Sequence, residues 1–247
     1  MLIELLLTHR EINAEAIKNK ICVVIDTLRA TSTIITAFSR GCREIIPVKS
    51  LEDARQLNKR EAYRSYSLGG ETELRPPDNF DLGNSPLEYL KTNLQGKGLI
   101  FRTTNGTRAL QKTGTADTVI ICALLNAGAV AQWLGEQNKE LVICCAGTRG
   151  AFSLEDFLTA GRLIIDLNEK ADNFIPSDLA FTAGCFYTYI QKKAGRGNGM
   201  AAALKKTANG QRLLQAGLEK DLLYCSQEDI LPLLPFYQNG SIRLLEV

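Results

Sequence analysis

Three stretches of this chain, Ile21-Cys-Val-Val-Ile-Asp26, Thr118-Val-Ile-Ile-Cys-Ala-Leu124 and Glu140-Leu-Val-Ile-Cys-Cys145, are apolar almost without interruption. A strand with one wet face alternates apolar and polar side chains, so a run without alternation must be covered on both faces. Each run is followed by polar residues and a helical pattern, and the same rhythm recurs at Glu44 to Val48, Ala62 to Leu68 and Gly98 to Thr104. Strand and helix in alternation build a parallel sheet with helices on both sides. The expected fold is α/β: a three-layer α/β/α sandwich around a mostly parallel sheet.

Local signals fill in the connections. Thr31 to Ser39 reads as the helix after the first run, stopped at Gly41. Ser50 with Asp53 three residues on resembles a capping box. Ser153 to Asn168 is amphipathic, and a further helix is expected after Pro176-Ser177. Gly195-Arg-Gly-Asn-Gly199 breaks the pattern, Met200 to Asp229 reads as helical, and Ser241 to Val247 reads as a last strand. No repeat or low-complexity tract appears. One domain over 1–247 is expected, with a helical C-terminal lobe beginning near residue 195. The apolar stretch from Ile230 to Tyr237 is either core or a subunit contact, and a two-fold homodimer is the default assembly for a soluble oligomer.

Composition excludes more than it assigns. The 247 residues carry 29 Lys and Arg against 27 Asp and Glu, a formal net charge of +2, with no basic footprint for nucleic acid or an anionic membrane. No apolar run approaches the roughly 20 residues of a membrane-spanning helix. Met1 to Arg10 contains Glu4 and no basic cluster, unlike a signal peptide. The seven cysteines are odd in number and lack any CxxC spacing, which suits buried, reduced thiols in the cytoplasm.

Ligands of open α/β sheets bind beyond the carboxyl ends of the strands. Residues following the expected strands are Asp26 to Thr31, Gly69-Gly-Glu71, Thr103-Thr-Asn-Gly-Thr107, Asn126, and Ala146-Gly-Thr-Arg149-Gly leading into Ser153-Leu-Glu155-Asp156. That edge collects carboxylates, Arg29 and Arg149, hydroxyls and small residues. Arginine forks hold phosphate or carboxylate bidentately, turns rich in Gly, Thr and Asn present N–H groups to anions, and carboxylates take magnesium. Each feature also has a plain structural reading. Asp26 can cap the next helix, the arginines can form surface ion pairs, Asn105-Gly106 can be a turn, and Glu155 and Asp156 are favoured in a first helical turn by the dipole.

Several phosphate chemistries are excluded by pattern. There is no GxxxxGK[ST] run. Gly195, Gly197 and Gly199 are misspaced for a dinucleotide fingerprint, and Cys144 and Cys145 do not fit a Cys-x5-Arg loop before Arg149. Asp26-Thr-Leu lacks the second aspartate of a DxD nucleophile. The single histidine, His9, reads as structural or exposed.

The segments Val24-Ile-Asp26-Thr-Leu-Arg29-Ala-Thr31, Leu68-Gly-Gly-Glu71, Phe80-Asp-Leu-Gly-Asn-Ser-Pro86-Leu-Glu-Tyr89, Thr103-Thr-Asn-Gly-Thr107-Arg108, Leu125-Asn126-Ala and Ala146-Gly-Thr-Arg149-Gly, then Phe152-Ser-Leu-Glu-Asp156-Phe, resemble the signature segments of the 2-phosphosulfolactate phosphatase family. They occur in order over residues 20 to 160. The resemblance implies an α/β/α sandwich and magnesium-dependent hydrolysis of 2-phospho-3-sulfolactate to 3-sulfolactate, a step toward coenzyme M. Such a substrate carries phosphate, sulfonate and carboxylate on three carbons.

Expected roles follow from the acids and cations at the strand ends. Asp26, Arg29 and Arg149 are the catalytic set. Thr31, Thr103, Thr104, Asn105, Gly106, Asn126, Gly147 and Thr148 contact substrate. Asp26 and Glu71, with Asp81 or Glu155, hold Mg2+, and Arg75, Arg102 and Arg108 are reserve cations. The nucleophile is either a metal-activated water or Asp26. The alternatives are a phosphatase for another small phospho-hydroxy acid and a non-catalytic protein that senses an anionic metabolite.

Overall fold

The structure is a computed structural model describing residues 2–170, 174–194 and 199–245. The first half contains β1 (Leu2–Leu6), β2 (Ile21–Ile25), α1 (Ala30–Ser39), β3 (Glu44–Val48), α2 (Leu51–Lys59), β4 (Ser67–Gly70), α3 (Pro86–Leu90), β5 (Gly98–Arg102), α4 (Gly106–Lys112) and β6 (Thr118–Cys122). Then follow α5 (Ala127–Gly135), β7 (Leu141–Cys145), α6 (Leu154–Lys170), β8 (Ile175–Pro176), α7 (Asp178–Ala194), α8 (Gly199–Leu204), α9 (Ala208–Gln215), α10 (Glu219–Cys225), β9 (Pro235–Gln238) and β10 (Ser241–Leu244).

All ten strands join one sheet in the order β4-β5-β3-β10-β9-β6-β2-β7-β1-β8. β6, β2, β7, β1 and β8 form one parallel block, and β3, β5 and β4 another. The β9–β10 hairpin lies antiparallel between the two blocks. The sheet is thus mostly parallel, as expected, and the hairpin answers the question of the apolar C-terminal stretch. Leu234 is buried and Phe236 and Tyr237 pack on the core, whereas Ile230 at the start of the stretch is exposed.

β2 shows why its sequence lacks alternation. Ile21, Val23 and Ile25 face a core with Val130, Ala131 and Leu134 of α5 and Leu163, Ile164 and Leu167 of α6. Cys22 and Val24 face the other core, with Ile34, Ala37 and Phe38 of α1 and Ala109 and Leu110 of α4. The three layers follow from burial on both faces. Each such aliphatic side chain contributes about 1.5–3 kcal/mol by leaving water.

The expected cap of α2 is present: Ser50 Oγ accepts from Asp53 N–H (3.0 Å) and Asp53 Oδ2 accepts from Ser50 N–H (3.1 Å). Elsewhere the local reading is corrected. Ala62 to Leu68 is no continuous strand: a 3-10 turn covers Glu61–Tyr63 and β4 starts only at Ser67. The Asn58 amide explains the turn by donating to the carbonyls of both Tyr63 and Tyr66. Met200 to Asp229 is three short helices, because Thr207 caps α9 through the Gly210 N–H (3.0 Å) and Gly217 at φ +74° ends the next segment. The glycine-rich break falls at 195–198, outside the described residues, and Gly199 opens α8. The strand expected to Val247 ends at Leu244, and residues 246–247 lie outside the described residues.

Candidate active site

The carboxyl ends of β2, β4, β5 and β7 open on a cleft of about 240 Å3. Asp26, Arg29, Glu71, Thr103, Thr104, Asn105, Thr148 and Arg149 line it, as the strand-end argument expects. Arg102, Asn84, Asn209 and Arg212 line it too.

Asp26 sits at its floor, 9% exposed. Its own N–H donates to Thr31 Oγ1 (3.1 Å), so Thr31 shapes the turn from β2 into α1 from a buried position outside the cleft lining. Gly106 allows the start of α4 to come close, since a Cβ there would lie 3.0 Å from Asp26 Oδ2 and from Ala30 Cβ. Burial, then the charges of Glu71 and Glu155, push the Asp26 carboxyl up to about 7, partly offset by hydrogen bonds from the Ala30 and Gly106 N–H groups.

Glu155 and Asp156 divide the two roles open to them. Asp156 Oδ1 accepts from Thr27 N–H (2.9 Å) and Oδ2 from Gly147 N–H (3.1 Å), which ties the ends of β2 and β7 together. Burial, Asp26 and Glu155 all push its carboxyl upward. Gly147 therefore serves the scaffold. Glu155 is buried beside the cleft and accepts from the Asn209 amide, whose Nδ2 also donates to Thr148 Oγ1.

Besides Thr31, Asp81 and Asn126 are placed elsewhere, and Arg29 borders the cleft with its charge engaged. Asp81 turns away to accept from Leu68 N–H (2.7 Å), because the chain after β4 folds back along it. Asn126 is fully buried: its Oδ1 takes the Ala123 N–H and its amide donates to the Ile121 and Leu233 carbonyls, so it pins the β9 approach and contacts no cleft. Arg29 borders the cleft, yet its guanidinium is spent within the protein. Nη1 donates to Asp221 Oδ2 (2.6 Å), and Nη2 reaches Glu71 Oε2 (3.5 Å) and the Leu74 carbonyl (3.3 Å). Asp221 also accepts from Ser85 Oγ (2.6 Å), joining the starts of α1 and α3 to α10.

The cations left for a ligand are Arg102, Arg149 and Arg212, none of which has a carboxylate within ion-pair distance among the described residues. Arg102 donates through Nη1 to the Glu71 carbonyl, while its buried Nε has no partner. Arg149 adopts φ +54°, a region that side chains enter against strain, inside a turn closed by mutual Thr148–Ala151 backbone bonds (2.9 Å each). Its N–H donates to Asn105 Oδ1 (3.2 Å), locking the β5 and β7 turns to one another.

The family model described as 2-phosphosulpholactate phosphatase matches residues 6–240. This chain belongs to that family. Among curated relatives, a protein of Caldanaerobacter subterraneus subsp. tengcongensis is 40% identical over 236 residues, covering 96% of this chain and 95% of its own. One from Clostridium acetobutylicum is 40% identical over 243 residues, 98% of this chain and 100% of its own. One from Symbiobacterium thermophilum is 37% identical over 233 residues, 94% of this chain and 97% of its own. Each of the three is named a probable 2-phosphosulfolactate phosphatase.

Asn84, Asn209, Arg212 and Asp221 are the members that sequence reasoning missed. Asn84 lies inside a signature segment, and that was its only signal. The other three come from α9 and α10, far along the chain and after no strand, so no sequence cue ties them to this edge.

Proposed function

We propose that the protein is a phosphatase that removes phosphate from 2-phospho-3-sulfolactate, leaving 3-sulfolactate. The observation that carries this reading is the arrangement of charge in the cleft. Three guanidinium groups without carboxylate partners among the described residues, those of Arg102, Arg149 and Arg212, line the cleft with buried Asp26 and partly buried Glu71. A substrate with phosphate, sulfonate and carboxylate on three carbons supplies three anionic groups to three forks. The names of the relatives support the same substrate.

Among the described residues, no three carboxylate, histidine or cysteine groups converge as a ready-made metal cage. The donors are nonetheless of the right kind for magnesium, which takes one or two carboxylates and keeps waters and phosphate oxygens for the rest. The raised Asp26 carboxyl marks a cluster of acids short of countercharge. Asp26 and Glu71 would hold the ion, with Glu155 behind them. When bound, magnesium neutralises phosphate charge and stabilises the charge that develops in transfer.

The chain's own residues do the remainder. The arginines bind and orient the anionic groups. Thr103, Thr104 and Asn105 offer hydroxyl, amide and backbone donors beside Arg102 and Arg149. Asn209 fixes Glu155 and Thr148, and the Arg29–Asp221 pair holds the floor rigid. Asp26 is the group nearest to serve as nucleophile or to orient a water. Quenching during turnover and reducing with borohydride distinguishes these roles: conversion of Asp26 to homoserine shows an aspartyl-phosphate, and an unmodified Asp26 supports direct attack by water.

The decisive assay is phosphate release from racemic 2-phospho-3-sulfolactate with magnesium and then with excess EDTA. Turnover that EDTA removes supports the activity and the metal together. No turnover from folded protein overturns the reading in favour of a different phospho-ester or a binding role. The reading extends to coenzyme M formation, the pathway implied by the resemblance, and to the cytoplasm, where seven free cysteines would stay reduced.

A further inference from the structure

α4 divides this edge of the sheet. The 103–105 loop before it faces the cleft, whereas Arg108, Gln111 and Lys112 on its other flank face a second cavity of about 320 Å3. His9 and Arg10 after β1 and Lys49 after β3 complete that cavity, and the two share no lining residue. Arg108, a reserve substrate cation on sequence grounds, therefore belongs to the second cavity.

Its lining is made only of cations and donors. Arg10, Lys49, Arg108 and Lys112 converge there, and among the described residues none has a carboxylate within ion-pair distance. The nearest acid along the chain, Glu11, is engaged by Leu7 N–H (3.1 Å) and Thr8 Oγ1 (3.1 Å) and does not line the cavity. Exposed Lys and Arg are ordinarily just solvated. Two buried groups separate this cluster from that case. His9 is 5% exposed and lines the cavity while its Nδ1 is bonded to the Ala146 carbonyl (2.8 Å). Gln111 also lines the cavity, with its Oε1 buried and without a partner among the described residues. Four like charges gathered around one hollow repel each other unless an anion joins them.

We propose that this cavity is a second anion site, distinct from the cleft, that takes a small multivalent oxyanion of the phosphate class. Its link to the cleft is Arg10. The Arg10 guanidinium donates to the Arg149 carbonyl (3.5 Å) and packs so closely under the turn that a Cβ on Gly150 would lie 2.1 Å from Nε. An anion that draws Arg10 into the cavity loosens the support of the turn carrying Arg149. Occupancy thus tunes the cleft, and inorganic phosphate, the product of the proposed reaction, is of the right class to act there. The site stands on its own geometry and does not depend on which ester the cleft hydrolyses.

The test is calorimetric titration of the full chain with inorganic pyrophosphate, free of divalent cations, at low salt. Two equivalents are expected for the unchanged protein. Lys49→Gln/Arg108→Gln/Lys112→Gln, all at exposed positions, should retain one equivalent and weaken the other roughly tenfold or more, as loss of charge-assisted bonds implies. Arg102→Gln/Arg149→Gln should retain the complementary one, with circular dichroism melts confirming that both variants fold. Restoring charge with Lys49→Arg/Arg108→Lys/Lys112→Arg should restore both equivalents. A single equivalent that the triple Gln variant leaves untouched overturns the proposal. So does equal weakening of both sites by that variant, the signature of general electrostatic attraction.

Discussion

The cleft and the cavity across α4 are both rich in arginine, yet they differ in what faces the arginines. In the cleft, Arg102, Arg149 and Arg212 share the lining with buried Asp26 and partly buried Glu71. In the cavity, Arg10, Lys49, Arg108 and Lys112 have no acid opposite. A lining of one sign can only attract and hold. A buried mixture of signs can hold an anion, hold a cation and place a charged group against a reacting centre, at the cost of keeping acids in a poorly solvated place. The comparison teaches that the acids, more than the arginines, mark the chemistry.

The sharpest way to break this contrast is Asp26→Asn. Turnover should fall by about a hundredfold to a thousandfold or more, the scale seen when a central electrostatic group is removed, while the cavity keeps its anion. Steady-state phosphate release measures the loss, and near-normal turnover would move the chemistry off Asp26.

Next comes Asp221→Ala. It strips the closer of two carboxylate partners from Arg29, whose side chain is 1% exposed, and leaves only the longer contact to Glu71 (3.5 Å). Stability should fall by about 3–5 kcal/mol in urea unfolding, whereas removing exposed Lys112 from the cavity should change it by less than about 0.5 kcal/mol.

Arg149→Ala and Arg212→Ala should each lower kcat/KM by roughly tenfold to a hundredfold through lost charge-assisted contacts. A drop confined to one of them would show which fork meets the phosphate.

The most gradual effect concerns pH. With Asp26 lifted to about 7 from 3.8, the folded protein keeps a proton that the unfolded chain has already released. Stability without divalent cations should therefore decline as pH rises from about 4 to about 7, by at most about 1.4 kcal/mol per unit, and then level off. Asp26→Asn should remove its own share of that slope, and Asp156, raised in the same direction, carries another share. Thermal melts in EDTA at pH 4.5 and 7.5 check it: an unchanged slope in the variant would assign the proton elsewhere.

The layered α/β fold was legible because β2 and β7 are apolar at every position and β6 at all but Thr118, and only burial on both faces explains that. Asp26, Glu71, the 103–105 loop and Arg149 were legible for a related reason, since residues after parallel strands gather at one edge by topology. His9, read as structural or exposed, is buried and bonded to the Ala146 carbonyl, so its place is structural. The antiparallel β9–β10 hairpin was not legible: a short apolar strand looks the same in either direction.

What the sequence determined, then, is which residues end strands, because period and polarity are properties of neighbours along the chain. What only the tertiary structure decided is which of those residues remain free to act. Arg29 and Arg149 look equivalent in sequence, and the arrival of Asp221 from α10 consumes one and leaves the other in the cleft. Asp81 and Glu71 both follow β4, and one backbone N–H captures Asp81. Partners that arrive from across the chain settle whether a charge is structural or available, because side-chain pairing depends on distance in space and not on separation in sequence.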